Sequence, residues 1–125
     1  MCALGSGTLK RKKGYMSFEN YKKIIDECGD YLININLYFF GEPFLNKDIY
    51  RMIEYTKRKR IFNRISTNAL TLDSKEKIRK LIHSGLDYIV VSFDGTSKET
   101  YEKYRVGGDF NKLINNLKIL VNEKK

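Results

Sequence analysis

Glu42 is a single carboxylate set between Gly41 and Pro43, the only proline of the chain. It ends an alternating apolar stretch, Leu37-Tyr38-Phe39-Phe40. A carboxylate beside backbone carbonyls freed by a Gly-Pro bend suits an ammonium group, and Pro43 fixes φ and has no N–H to satisfy. Two later clusters share this character, Ser66-Thr67-Asn68 and Ser92-Phe93-Asp94-Gly95. Ser92 and Asp94 can hydrogen-bond a ribose or a carboxylate, and Arg105 can pair with a carboxylate. Taken together these are the walls of a pocket for a small polar ligand. Each part also has a plainer reading. Residues 41–43 suit a strand-ending turn, the two serine clusters suit helix caps, and most arginines are exposed. The conjunction, in this order, is far more specific than any part.

The segments between the clusters must position them. Ser17 is a good N-cap for a first helix, on which Phe18, Tyr21, Ile24, Ile25 and Cys28 form one stripe, with Gly29 as its stop. On that stripe Cys28 reads as a small buried hydrophobe rather than a ligand. From Ile33 the period changes to two. Ile33, Ile35, Leu37 and Phe39 share one face and Asn34, Asn36, Tyr38 and Phe40 the other, so the spacing predicts a strand over 33–40. Its aliphatic side would meet helices and its Asn side a wet interior, with Glu42 continuing the inward parity. A second helix is predicted over 48–59 and a strand over 61–67. Asp73, with Glu76 three residues on, predicts a capping box for a third helix ending at Gly85. His83, the only histidine, sits at the end of that helix, where a cation is favourable without any catalytic role. A strand over 86–93 places Ser92 and Asp94 on one face. A short helix over 97–104, a turn at Arg105, Gly107 and Gly108, and a last helix capped by Asp109 complete the chain.

This alternation predicts an α/β fold: a parallel sheet of about three strands flanked by helices with right-handed crossovers, in a single domain over 1–125. In such folds ligands bind at the C-terminal ends of strands, which is where the three polar clusters fall.

Composition narrows the function classes. The 125 residues are 42% hydrophobic and 31% charged, which fits a globular domain and excludes disorder. No apolar run approaches the roughly 20 residues of a membrane span. With no signal-peptide order at the start and two cysteines that give no disulfide framework, a cytoplasmic location is expected. The formal net charge of +9 raises nucleic-acid binding. Its clusters, Lys10-Arg11-Lys12-Lys13, Lys57-Arg58-Lys59-Arg60 and Lys124-Lys125, lie in a Gly-rich loop, at a helix end and at the C-terminus, and read as solvated surface.

Several stretches resemble the radical S-adenosylmethionine superfamily. Met1-Cys2 looks like the end of its C-x-x-x-C-x-x-C motif. Phe40-Gly41-Glu42-Pro43 resembles its G-G-E-P segment with Phe40 for the first glycine, and Ser66-Thr67-Asn68-Ala69 resembles its T-N-G segment with Ala69 for the glycine. Tyr15-Met16-Ser17-Phe18, Ser84-Gly85-Leu86-Asp87, Val91-Ser92-Phe93-Asp94-Gly95 and Tyr101 through Arg105 are similar to the family pattern too. The likeness is to the branch of molybdenum-cofactor synthesis, peptide-modifying and sulfatase-maturing enzymes. It implies a partial (β/α) TIM-like barrel. It also implies a 4Fe-4S cluster that cleaves S-adenosylmethionine to a deoxyadenosyl radical, which abstracts a substrate hydrogen. By position, Cys2 would ligate the cluster, and Gly41, Glu42 and Pro43 would contact the cofactor's amino group. Ser92 would bind its ribose or carboxylate and Arg105 its carboxylate, and Thr67 and Asn68 would line the cofactor or substrate side. One cluster cysteine of three is present, so a fragment inactive by itself is expected, with a peptide or small molecule as the substrate of the whole enzyme. Open sheet edges would favour self-association. Two other readings stand beside it: a non-catalytic module binding a nucleotide-like ligand or a partner, and a basic nucleic-acid binder.

Overall fold

The computed structural model describes Gly7, Thr8, Lys10 and residues 12–125. Among these the order is α1 (Phe18–Cys28), β1 (Asn34–Asn36), α2 (Ile49–Arg58), β2 (Phe62–Thr67), α3 (Lys75–His83), β3 (Tyr88–Val91), α4 (Lys98–Tyr104) and α5 (Phe110–Lys124), with short 3₁₀ turns at Gly29–Tyr31 and Pro43–Leu45. The sheet is parallel throughout, in the order β1-β2-β3. The α/β alternation of the sequence is therefore the fold. None of the described helices is long and apolar enough to cross a membrane.

Register sorts the sheet into two faces, because aligned residues of parallel strands point the same way. Asn36 aligns with Arg64, and Arg64 with Tyr88; Ser66 aligns with Val90. On the opposite face Ile35 aligns with Asn63, Ile65 with Ile89 and Thr67 with Val91. Along β2, Asn63, Ile65 and Thr67 are buried, and Phe62, Arg64 and Ser66 are not. Helices cover only the Asn63–Ile65–Thr67 face. The core on that side is aliphatic, with Ile25, Ile53, Ile65, Ile78 and Leu113 all at 1% exposure or less. α1 packs on α2, and α3 and α4 on α5.

The first strand is much shorter than its alternation predicts. Ladder bonds from Phe62 N to Ile33 O and from Leu37 N to Arg64 O bound its paired stretch. Beyond it the rings of Phe39 and Phe40 meet edge-on with centroids 4.5 Å apart. Neighbouring side chains of a strand point to opposite faces, so this contact requires a bend. Ile33 and Phe39 are accordingly exposed, and only Ile35 and Leu37 of the predicted aliphatic face pack against the core. β3 is likewise confined to Tyr88–Val91, leaving Ser92 and Asp94 in the loop beyond it.

The helices correct the sequence reading in three places. α3 is capped by Ser74, whose Oγ accepts from Lys77 N, not by Asp73. The Asp73 carboxylate is instead held by the ammonium groups of Lys77 and Lys112. Ile24 is exposed, because the buried stripe of α1 is narrower than its apolar pattern. Cys28 is half-buried rather than buried, and its Sγ donates to Ile24 O at 2.8 Å. Predicted caps at Ser17 and Asp109 and the exposed position of His83 are as expected.

Two helix ends show how backbone conformation selects residues. α3 stops at Gly85, φ +79°. α2 stops in the same left-handed conformation at Arg60, φ +60°, with Arg60 N donating to Lys57 O and Ile61 N to Thr56 O. That is a Schellman closure with arginine where glycine is favoured. A left-handed side chain costs roughly 1–2 kcal/mol, and the looser unfolded state of a glycine returns about half of it. Arg60→Gly is expected to stabilise the chain by about 0.5–1 kcal/mol, read as a raised midpoint in urea denaturation followed by circular dichroism.

Acid lability follows from two carboxylates that tie helices together. Asp26 on α1 takes a hydrogen bond from Tyr55 Oη and ion pairs from Lys22 and Lys59. These hydrogen bonds, with Lys22 first, hold its carboxyl far below the ordinary value of 3.8. Asp73, bonded to Lys77 and then Lys112, is held at about 2. A carboxyl lowered in the folded state stabilises it above the ordinary value, and that contribution is lost as pH falls through the folded one. Melting temperature should therefore drop as pH falls from about 4 towards 2. In Asp26→Asn/Asp73→Asn that drop should be shallower, and both groups are exposed enough to keep the effect modest.

Candidate functional site

The polar clusters meet at the C-terminal edge of the sheet. Gly41, with φ +83°, turns the chain after β1 and hands it to Glu42. Glu42 then reaches across to the end of β2. Its Oε1 accepts from Thr67 Oγ1 at 2.6 Å and from Phe44 N at 3.3 Å, and its Oε2 accepts from Asn68 N at 2.8 Å. The carboxylate is thus the latch between two strand ends. It carries its charge to the rim of the site with both oxygens committed to protein donors.

Thr67 is the second half of the latch. It is 2% exposed, and its hydroxyl both donates to Glu42 and accepts from Ala69 N at 2.9 Å. Asn68 Oδ1 accepts from Leu70 N at 2.9 Å, closing the turn after β2. Ala69 occupies the left-handed region, φ +57°, where the resembling T-N-G pattern has glycine. Its carbonyl accepts from Asn116 Nδ2 at 2.8 Å. Asn116 is 2% exposed on α5. It braces the 67–70 turn from behind, and sequence reasoning missed it because a polar residue on an apolar helix stripe leaves no hydropathy signal.

Between these groups lies a cleft of about 290 Å³, lined by Tyr38, Phe39, Gly41, Glu42, Ser66, Thr67, Asn68, Ser92 and Arg105. Six predicted site residues, Gly41, Glu42, Thr67, Asn68, Ser92 and Arg105, come together there. Ser66 and Ser92 have side-chain hydroxyls with no protein partner among the described residues. Pro43 does not line this cleft. It opens the 3₁₀ turn Pro43–Leu45 and faces a second, more apolar cleft of about 480 Å³ with Tyr15, Met16, Leu37 and Phe40. Glu42 and Gly41 border both. Asp94 does not line the polar cleft either. It pairs with Arg105, taking both Nε and a terminal guanidinium nitrogen on one oxygen. Asp94 thereby orients Arg105 towards Ser92 instead of presenting itself to a ligand.

The position of Arg105 is set by the α4 corner. Ser97 and Thr100 cap α4 reciprocally. Arg105 N donates to Tyr101 O, and Gly108 N to Arg105 O, both at 2.7 Å. Tyr101 is 1% exposed, and burial pushes its hydroxyl pKa up.

The arrangement offers a polar cleft with unpartnered hydroxyls, a carboxylate on one wall and a guanidinium on the other. That donor set fits a zwitterionic, ribose-bearing cofactor. It does not extend to a metal cluster. Among the described residues no group of three or more His, Cys, Asp or Glu side chains could hold a metal ion. Cys28 lines neither cleft, and Cys2 lies outside the described residues, as does Arg11 of the basic loop. No chemical step is therefore assigned to a cluster.

The model of the radical SAM superfamily matches residues 1–125. The chain is 36% identical over 90 residues to Fe-coproporphyrin III synthase of Methanosarcina barkeri, covering 72% of this chain and 22% of that protein. It is 37% identical over 79 residues to the probable GTP 3',8-cyclase of Methanocaldococcus jannaschii, covering 62% and 26%. It is 27% identical over 100 residues to PqqA peptide cyclase of Granulibacter bethesdensis, covering 80% and 26%. The chain thus spans about a quarter of the length of these relatives.

Proposed function

The chain belongs to the radical SAM superfamily, and from that membership we propose that its polar cleft is the S-adenosylmethionine-binding wall of a radical enzyme. The observation that carries this reading is the convergence of Gly41, Glu42, Ser92 and Arg105 on one cleft at the C-terminal strand ends. The cofactor's ammonium group is placed at the Gly41-Glu42 rim, where the latched carboxylate supplies negative potential. Pro43 supports that rim from the outer side. Ser92 offers a hydroxyl to ribose or carboxylate, and Arg105, oriented by Asp94, neutralises the carboxylate. Thr67 and Asn68 act through Glu42, holding the rim in place. When bound beside a reduced cluster, this cofactor supplies hydrogen-atom abstraction from a substrate. Cys2 would be one ligand of that cluster. The outer edges of β1 and β3 carry no strand among the described residues and would accept a neighbouring strand or a second copy.

Calorimetric titration of S-adenosylmethionine into the chain tests this. A saturable one-to-one isotherm is expected, weakened about tenfold or more by Arg105→Ala, since a hydrogen-bonded charge is removed. No heat at millimolar cofactor, or an isotherm that Arg105→Ala leaves unchanged, overturns the reading.

A further inference from the structure

Arg64 lies in the middle of the central strand, on the sheet face that no helix covers. The register places it in one row between Asn36 and Tyr88, with Phe62 one step before it on the same face and Ser66 one step after. Its guanidinium sits 6.0 Å from the Phe62 ring centroid and 5.8 Å from that of Tyr88. Both rings are largely exposed, at 42% and 53%. The guanidinium is therefore held between two aromatic side chains that are themselves open to a ligand.

What distinguishes Arg64 from the exposed arginines without an ion pair, Arg58 and Arg60, is a guanidinium partly shielded from water with no counter-ion. Arg51, Arg79 and Arg105 each pair with a carboxylate. Arg64 forms no ion pair and no side-chain hydrogen bond among the described residues, and its Nε is cut off from solvent with no partner. A desolvated N–H of a charged group without an acceptor is unfavourable. The side chains of its row, Asn36 and Tyr88, carry no negative charge. An oxyanion accepting from the terminal nitrogens of the guanidinium would supply the missing counter-charge, in the geometry arginine is built for.

We propose that Arg64 recognises an oxyanion, carboxylate or phosphate, of the substrate, carried on an aromatic or otherwise apolar body that lies against Phe62 and Tyr88. The inference rests on the cofactor-cleft reading in one respect. Ser66, two residues along β2, lines that cleft, so an anion at Arg64 lies about 7 Å along the strand from the cleft floor. A substrate anchored there extends towards the reacting end of the cofactor.

The test uses the side-chain Nε–Hε resonance of Arg64 in ¹⁵N-labelled full chain, titrated separately with benzoate, phenyl phosphate and neutral benzamide. A saturable shift with one or both anions, and none with benzamide, is expected. The tighter anion identifies the source as carboxylate or phosphate. Backbone amide shifts of Tyr88 and Asn36 should saturate in parallel. In Arg64→Gln these shifts should weaken about tenfold or more. Arg64→Lys, which keeps the charge without the fork, should fall between, and a dispersed amide spectrum shows that each variant is folded. Absence of a saturable shift with both anions, equal response to benzamide, or unchanged affinity in folded Arg64→Gln overturns the proposal. S-adenosylmethionine titrated into the same sample is read at the Gly41 and Ser92 amides. Failure there with an intact anion response removes the cofactor reading alone, and the reverse removes Arg64 alone.

Discussion

Replacing Tyr101 with alanine should destabilise the chain by about 3–5 kcal/mol, the cost of emptying a buried aromatic site. Tyr101 is the side chain around which the α4 corner is built. Its ring packs on Phe110 at a centroid distance of 5.8 Å. Two glycines make room for it: a Cβ at Gly108 would lie 2.9 Å from Tyr101 Cε1, and one at Gly95 would lie 2.5 Å from the backbone nitrogen of Tyr101, so Gly108 admits the ring and Gly95 the α4 backbone. Those glycines bracket the pair that matters at the cleft, since Asp94 precedes Gly95 and Arg105 closes α4 just before the Gly107-Gly108 turn. Loss of the ring should therefore unfix Arg105 as well as weaken the fold. Against a total stability on the order of 5–15 kcal/mol for a domain, the loss is a large fraction. Chemical denaturation followed by circular dichroism gives the first quantity and cofactor titration the second. Tyr101→Phe keeps the ring and should stay within about 1 kcal/mol of the parent. Equal loss in both variants would show that the hydroxyl, not the packing, holds the corner.

Glu42→Ala should cost about 2–4 kcal/mol, because a carboxylate that accepts from three donors is removed and Asn68 N–H and the Thr67 hydroxyl lose their acceptor. Glu42→Gln retains one acceptor oxygen and should lose about half as much. The effect should be local before it is global. Hydrogen exchange of the Asn68 amide should speed up in Glu42→Ala, and the amides of β2 further from the latch should keep their protection. Cofactor affinity should fall in both variants, more steeply in the alanine. An Asn68 amide that exchanges at its original rate in Glu42→Ala would show that the strand ends are held together by something other than this carboxylate.

These two residues mark different degrees of legibility. Glu42 stands out in the sequence because Gly, a lone carboxylate and Pro after an apolar run have few structural reasons to occur together. Its predicted inward parity is not what aims it, because the strand ends at Asn36 and the turn at Gly41 hands Glu42 to the end of β2. What sequence cannot supply is the other end of each bond: the donation from Asn68 N and Thr67 Oγ1 to Glu42 depends on two strand ends lying side by side. Tyr101 shows the opposite case. Its aromatic character marks it as apolar, but only packing against Gly95, Gly108 and Phe110 makes it the keystone of the Arg105 corner. Asp94 was legible as a polar residue at a strand end, and its use as the partner of Arg105 rather than of a ligand appears only with α4 in place.

The sequence by itself determined the order of elements, the parallel sheet and the identity of the three polar strand ends. Those follow from local period, capping residues and turn chemistry, which act over a few residues. It overextended β1 and β3, because alternation records which faces are apolar and not how far a neighbouring strand accompanies them. Tertiary structure alone decided the rest. It set the Asn36–Arg64–Tyr88 row through strand register. It buried Asn116 behind Ala69 through helix docking, and it divided the polar cleft from the apolar one at Glu42. Each of these is a contact between residues distant in the chain, and such contacts exist only once the strands are side by side.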